Sequence, residues 1–264
     1  VVDQQIYGGG LEAAVRDFQA RHGLDVDGVL GPATLRALNV TVEQRIEQIR
    51  VNLERARWVL DSLADDFVIV NIAGFRVYVF RDHEMKWSTR AVVGRTYRKT
   101  PVFRSMMRYV VFNPDWTVPF SIATKDILPA VQNDPGYLAA ANYIVKDRNG
   151  EIVDPDDVDW GSLTARSFPY TLVQQPGNNN ALVWIKFMFP NDHAVYLHGT
   201  PAKGLFYKDE RAFSHGCIRL ADPPRLAEHV LSQEAGWDRG RIDELIGSGQ
   251  RTVAELSKKL SVYV

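Results

Sequence analysis

Residues 196–200 read YLHGT and residues 213–220 read FSHGCIRL. The second stretch contains Cys217, the only cysteine in the 264-residue chain, and the first contains His198, nineteen residues upstream of it. A thiol becomes a nucleophile only when a neighbouring base or cation favours the thiolate, and histidine often supplies the base. Glycines beside both residues leave the backbone accessible to a carbonyl substrate. The two stretches therefore indicate a cysteine nucleophile paired with a histidine base.

The residues around this pair suggest the remaining parts of a catalytic site. His198 ends a predicted strand, and the carbonyl of Gly199 is placed to orient its imidazole, in place of the acid or amide of other triads. Backbone N–H groups of His215, Gly216 and Cys217 are candidate donors to an oxyanion.

Other neighbours are candidates for support and for substrate binding. Ser214 opens the turn before the cysteine and is a candidate supporting residue. Arg219 either binds a substrate carboxylate through its two-pronged guanidinium or pairs with Asp222, and the sequence leaves both open. Three aromatic residues are expected to line the substrate cleft: Tyr196, Trp184 and Phe206.

The same residues allow two other interpretations. Most single cysteines are small buried hydrophobic residues without chemistry. A zinc site is the other alternative, because its ligand types are present in His193, His198, His215 and Cys217. Their spacing differs from the usual two tight pairs, so we expect no metal and no cofactor.

The composition excludes several classes of protein. The formal net charge is −1 and 45% of residues are apolar, which gives no reason to expect binding to nucleic acid or to anionic membranes. No apolar run is long enough to span a bilayer, and no signal peptide is recognisable at the start. A single cysteine excludes an internal disulfide.

The pattern of the first 64 residues is helical. Residues 11–39 predict two short helices around a turn, with Pro32 opening the second. Thr41 and Gln44 form a capping box, which predicts a connector helix over residues 41–64. Its apolar stripe through Ile46, Ile49 and Leu53 is expected to pack on a neighbouring domain.

From residue 67 the hydrophobic period changes to two. Strands are predicted at residues 67–72, 75–80, 85–93 and 104–112, arranged as an antiparallel meander, and again at 170–175, 182–189 and 194–197. Residues 119–168 break this pattern and predict a helical insertion, and helices are expected at 223–231 and 241–246. The expected fold class is α+β, with a mainly β domain that carries a helical cap.

The two stretches resemble the signature of the L,D-transpeptidases with a YkuD-type catalytic domain: a histidine, then about fifteen residues, then Ser/Thr-His-Gly-Cys. Residues 113–119 (NPDWTVP) and 186–191 (KFMFPN), Arg219 and the long insertion are similar to the large periplasmic branch of that family. One departure is Val183, where the family pattern leads us to expect a glycine nearby. The resemblance covers roughly residues 65–235.

The resemblance implies a mixed β-sandwich and a cysteine acyltransferase of the bacterial wall. The roles of nucleophile, base and orienting carbonyl carry over to Cys217, His198 and Gly199. The implied donor is a peptidoglycan tetrapeptide stem, which loses its terminal D-Ala and is joined to the side-chain amine of a second stem through their third-position diamino acids. Carbapenem β-lactams are implied as inhibitors, wall biogenesis and cell shape as the process, and the periplasm as the location.

Residues 11–39 separately resemble a peptidoglycan-binding module, in a form that lacks a recognisable first helix. The expected domains are therefore 1–40, a truncated peptidoglycan-binding-like module, 41–64, the connector helix, and 65–264, the catalytic domain with its cap at about 119–168. Two other functions stay open: a wall-directed cysteine peptidase or L,D-carboxypeptidase with water as acceptor, and a non-catalytic wall-binding protein.

Overall fold

The computed structural model describes residues 8–60 and 63–264 of the chain. They form two units. The smaller comprises residues up to Asp65 together with Tyr207–Glu210, and the larger comprises Asp66–Phe206 and Arg211–Val264. No helix within the described ranges is both long and apolar enough to cross a membrane.

The smaller unit is helical, as its periodicity predicts. Its helices are α1 (Gly9–Arg21), α2 (Pro32–Leu38) and α3 (Val42–Leu60). A buried amide joins the first two: Gln19 Nε2 donates to Asp27 Oδ1 at 2.8 Å and to Thr34 Oγ1 at 3.2 Å. The residues before Gly8, where the truncation of this module was predicted, lie outside the described part of the chain.

Helix α3 begins with the predicted capping box. Thr41 N donates to Gln44 Oε1 at 3.1 Å, and Gln44 N donates to Thr41 Oγ1 at 3.3 Å. The apolar stripe does not pack within the smaller unit, since Ile46, Ile49 and Leu53 are 43%, 58% and 60% exposed. That this face packs on a neighbouring domain stays a prediction.

The larger unit is built mainly from strands. These are β1 (Phe67–Asn71), β2 (Arg76–Arg81), β3 (Glu84–Gly94), β4 (Arg104–Phe112), β5 (Trp116–Thr117), β6 (Tyr143–Lys146), β7 (Ile152–Val153), β8 (Thr171–Gln174), β9 (Ile185–Met188), β10 (Leu197–His198), β11 (Ala212–Ser214), β12 (Ile218–Leu220) and β13 (Thr252–Tyr263). The helices are α4 (Phe120–Ile122), α5 (Leu128–Asn133), α6 (Tyr137–Ala140), α7 (Pro223–Leu231) and α8 (Arg239–Ser248), with a π-helical turn at Ala123–Ile127 and 3₁₀ turns at Pro155–Asp157, Trp160–Ser162 and Lys203–Tyr207.

Nine strands form one mixed sheet in the order β11-β3-β12-β10-β9-β4-β13-β1-β2. Strand β2 also pairs with β3, so the pairing closes on itself. The first three strands form the predicted antiparallel meander, but β4 does not continue it. It lies between β9 and β13 instead. The predicted α+β class is confirmed.

The core of this sheet is mainly apolar. Phe112, Phe187, Leu197 and Ile218 are wholly buried, and each such side chain contributes about 1.5–3 kcal/mol through removal from water. Helix α7 covers this core with Leu226 and its neighbours. It begins as its sequence predicts, because the Asp222 carboxylate accepts from Arg225 N at 3.1 Å and proline opens the first turn.

The insertion, which we call the cap and define as residues 116–174, is mixed rather than purely helical. It contains α4–α6 and a second sheet in the order β5-β8-β6-β7. Its own apolar core includes Leu128, Leu138 and Val145. The predicted helical part is present as α4, the π-helical turn, α5 and α6, and the strand predicted at 170–175 is present as β8. Strands β5, β6 and β7, of two to four residues, were not predicted, because so short a run shows little or no alternation.

Candidate active site

Strand pairing brings the two signature stretches together. Strand β10 lies between β9 and β12, and in register His198 is opposite Lys186 on β9 and Arg219 on β12. Cys217 immediately precedes β12. The eighteen residues between His198 and Cys217 therefore leave the sheet after β10 and return to it at the neighbouring strand β12.

Both residues line a cavity of about 620 Å³. The sheet side contributes Lys186, Tyr196 and Arg219 in addition to His198 and Cys217. The opposite side is contributed by the cap, through residues 116–127 and Tyr137 and Tyr143. The cap therefore encloses the reactive pair, as a lid over an active site does.

His198 is held in one orientation. It is 4% exposed, and its Nδ1 lies 2.5 Å from Gly199 O, so that Nδ1 carries the proton and Nε2 is left as the acceptor. Burial, together with the cations of Arg219 and Lys186, lowers the pKa of the imidazole to about 3. The histidine is therefore neutral at pH 7.

Cys217 is also held in its neutral form. Burial raises the pKa of its thiol, although the N–H and hydroxyl of Tyr196 and the charges of Lys186 and Arg219 oppose that rise. The sulfur lies 3.7 Å from Ala194 O, to which the thiol donates. In the resting site the pair is thiol and imidazole rather than thiolate and imidazolium.

The turn before the cysteine is fixed by two hydroxyl groups. Ser214 Oγ accepts from Gly216 N at 3.1 Å and donates to Cys217 O at 2.6 Å. Thr100 Oγ1 donates to Gly216 O at 2.8 Å. Gly216 has φ +122°, a conformation that a side chain would strain. Its N–H is already bonded within the turn, so Gly216 supports the loop in this structure, and its role as an oxyanion donor stays a prediction.

His215 faces the cap. Its Nε2 lies 3.7 Å from Asp126 Oδ2 in the π-helical turn. Burial and the nearby Arg98 lower the pKa of this imidazole, while Asp126 acts in the opposite direction. The side chain thus brings the cysteine loop close to the cap.

The structure separates the predicted substrate-binding residues into two groups. Tyr196 and Arg219 line the cavity, whereas Trp184 and Phe206 are absent from its lining. Phe206 is 2% exposed and Trp184 packs against the apolar core, so the expectation that they line the cleft is corrected. An aromatic residue in a strand pattern is equally suited to packing, and the pattern does not show which face it occupies.

Several residues of the site were not found from the sequence. Lys186, Trp116 and Asp126 line the cavity, and Thr100 supports the turn from 117 residues upstream of the cysteine. Lys186 and Trp116 lie in stretches that resemble the family, but only strand register shows that they reach the cysteine. Asp222, the alternative partner of Arg219, caps helix α7 instead.

The zinc alternative finds no support in the geometry. His193, His198, His215 and Cys217 all line the same cavity. Across residues 8–60 and 63–264, however, no three or more histidine, cysteine or acidic side chains come together as a metal site.

Comparison with known families gives this site its context. Residues 65–250 match the model described as "L,D-transpeptidase catalytic domain", which is more than half of the chain. The chain belongs to this family. Residues 2–38 match the model described as "Putative peptidoglycan binding domain".

One relative and two solved structures illustrate the similarity. A protein of Haemophilus influenzae described as "Putative L,D-transpeptidase" is 35% identical over 218 residues, which cover 83% of this chain and 44% of that protein. The chain therefore spans less than half the length of this relative. An L,D-transpeptidase structure from Stackebrandtia nassauensis is 15% identical, with 96% and 77% of the two chains covered and a TM-score of 0.34. The ertapenem-acylated catalytic domain of an E. faecium L,D-transpeptidase is 12% identical, with 77% and 98% covered and a TM-score of 0.32.

Proposed function

We propose that this chain is a cysteine-dependent L,D-transpeptidase that joins peptidoglycan stem peptides through a thioester. The observation that carries the proposal is that Cys217 and an oriented, neutral His198 line one cavity under the cap. Family membership supports the reaction class, and the match of residues 2–38 supports the polymer as substrate. We also propose the periplasm as the location, because peptidoglycan lies outside the cytoplasmic membrane.

The first half-reaction is acylation. Cys217 attacks the carbonyl of the third stem residue while its proton passes to Nε2 of His198, so that thiolate and imidazolium do not form separately in advance. The N–H groups of Cys217 and Tyr196 are the candidate donors to the oxyanion. When the tetrahedral intermediate collapses, the C–N bond breaks and His198 returns the proton to the departing D-Ala amine.

The second half-reaction transfers the acyl group. The side-chain amine of a second stem attacks the thioester, His198 takes a proton from the amine, and the thiol is restored with that proton. One amide bond is exchanged for another without oxidation or reduction. A thioester also reacts with water, so the cap has to limit the access of water for transfer to compete.

The experiment is intact mass spectrometry of the chain incubated with a carbapenem, beside Cys217→Ala. We expect wild type to gain the mass of one whole drug, because opening of the β-lactam ring expels no leaving group, and the variant to gain nothing. A tetrapeptide donor with and without a diamino-acid acceptor then identifies the acceptor. A cross-linked product supports the proposal, whereas hydrolysis alone would indicate a carboxypeptidase. A folded wild-type chain that acquires no adduct and processes no donor would contradict the proposal.

A further inference from the structure

Two cations stand on either side of the histidine in the candidate site. Lys186, His198 and Arg219 occupy register-matched positions on three adjacent strands, β9, β10 and β12. All three side chains line the cavity. Adjacent strands lie about 4.7–4.9 Å apart, so the three form a short row with the histidine at its centre.

Neither cation is fully matched by an anion of the protein. Nε of Arg219 is buried and has no hydrogen-bond partner in the part of the chain that the structure describes. The ammonium of Lys186 lies over the ring of Tyr196, 4.1 Å from its centroid. Asp115 is the acid that attracts it, and that carboxylate also accepts from Arg251 Nε at 3.1 Å.

Burying cations is costly unless an anion compensates for the lost hydration. Burial lowers the pKa of Lys186 and of Arg219, which reflects this cost. Two desolvated cations that share a cavity with an incomplete set of protein anions therefore indicate that the ligand supplies negative charge.

We propose that Lys186 and Arg219 bind the α-carboxylate of the amino acid that leaves, so that the donor must end in a free carboxylate. This inference rests on the proposed function. In that reaction His198 delivers a proton to the leaving nitrogen, and the carboxylate carbon of the leaving residue is two bonds from this nitrogen. A carboxylate at that distance lies next to His198, and the long side chains of Lys186 and Arg219 extend toward it from the two flanking strands.

Binding of the carboxylate also affects the base. Arg219 and Lys186 are among the groups that lower the pKa of His198. An anion between them offsets their field, so His198 accepts the thiol proton more readily when a donor with a carboxylate is bound. We therefore expect the preference to appear in the acylation rate as well as in donor binding.

The test compares two donors that differ in one group: the tetrapeptide with a free C-terminal carboxylate and the same tetrapeptide as its primary amide. Release of D-Ala or D-Ala amide and the acyl-enzyme mass are followed for wild type, Lys186→Met, Lys186→Arg and Arg219→Gln. Lys146→Met, on β6 and outside the cavity lining, is the matched control. Wild type and the control should prefer the acid on the order of 100-fold, because two charge-assisted contacts are lost with the amide.

In Lys186→Met and Arg219→Gln the preference should fall below about 10-fold, mainly through slower use of the acid, and Lys186→Arg should retain more of it. Equal use of the two donors by wild type would overturn the inference and leave the proposed function intact. A wild-type preference that persists in both charge-removing variants would also overturn it. Failure of wild type with both donors would count against the proposed function itself. The wild-type comparison and Lys186→Arg remain decisive if a charge-removing variant does not fold.

Discussion

The reactivity of Cys217 is set by opposing effects at single residues. Burial raises the pKa of its thiol, while Lys186 and Arg219 favour the thiolate. The same cations make an imidazolium at His198 more costly. An ion pair prepared in advance is therefore disfavoured, so that in the proposed reaction the proton moves as the carbonyl is attacked. A neutral, buried thiol is less prone to adventitious reaction while a substrate is absent.

Thr100 is the residue whose removal best tests how the cysteine loop is held. Its hydroxyl donates to Gly216 O at 2.8 Å and accepts from Gly94 N at 2.9 Å. Thr100→Val keeps the shape but leaves both buried groups without this partner, so we expect a loss of about 2–4 kcal/mol in unfolding free energy. Carbapenem acylation should slow as well, because the loop that carries Cys217 is no longer fixed.

Urea unfolding and the rate of adduct formation measure the two effects. Thr100→Ser is the control, since it retains the hydroxyl and should cost about 1 kcal/mol through the lost methyl group. If Thr100→Val is acylated at the wild-type rate and its unfolding free energy changes by less than about 0.5 kcal/mol, these hydrogen bonds do not position the nucleophile.

At this scale the sequence contains signals for chemistry that is local. The paired glycines and histidines around Cys217 indicate its proposed role without knowledge of the fold. Lys186 is different, because its place beside His198 follows from the register of β9 on β10, which no local pattern contains. Trp184 and Phe206 were assigned to the cleft from residue type alone, and the face on which an aromatic lies is decided by packing.

At the scale of elements, the turn before β9 contains an unusual residue. Val183 has φ +54° and is 3% exposed. A β-branched side chain in that conformation is strained by about 1–2 kcal/mol. The turn also packs closely on the end of β10, because a Cβ on Gly199 would lie 3.0 Å from Leu182 O. The family resemblance suggests a glycine near Val183, and a glycine at this position would adopt the positive φ without strain.

Replacing this valine should therefore cost less than replacing an ordinary buried one. We expect Val183→Gly to be less destabilising than Val111→Gly by about 1–2 kcal/mol, since both lose a buried side chain but only the first relieves strain. Val111 is 4% exposed in β4 and is not among the residues with positive φ. Urea unfolding of the two variants measures the difference. Equal losses would mean that Val183 is not strained.

Elements with a regular period were predicted and those without one were not. Strands β1–β4 and helix α7 follow patterns visible in the sequence. Strand β13 was missed entirely, although it pairs with β4 and β1. Its alternation is interrupted by the exposed Ser257, Lys258 and Lys259, where the register shifts at an irregularity. Such an interruption removes the period-two signal on which strand recognition depends.

At the scale of the whole molecule, the strand order combines pairings between neighbouring segments of the chain with pairings between distant ones. The β1–β2–β3 meander follows from short connections. The insertion of β13 between β1 and β4 requires a pairing across more than a hundred residues, as does the position of β12 against β3. Long-range pairing carries no local signature, so the fold class was predictable while the sheet order was not.

Buried neutral histidines make the stability of the whole chain depend on pH. The pKa of His198 is lowered to about 3 in the folded chain, against about 6.5 when unfolded. The contribution of His198 to the unfolding free energy is therefore fully present above about pH 6.5. It is lost as the pH falls toward 3, because in this range only the unfolded chain binds the proton. At pH 5 this single histidine should reduce the unfolding free energy by about 2 kcal/mol relative to pH 7. Burial also lowers the pKa of His215 and His229, which act in the same direction.

Urea unfolding at pH 7, 6 and 5 tests this pH dependence, with His198→Gln as the comparison. The change in unfolding free energy with pH should be smaller in the variant but not zero. A flat wild-type profile, or identical slopes in both proteins, would show that His198 is not held neutral by the fold.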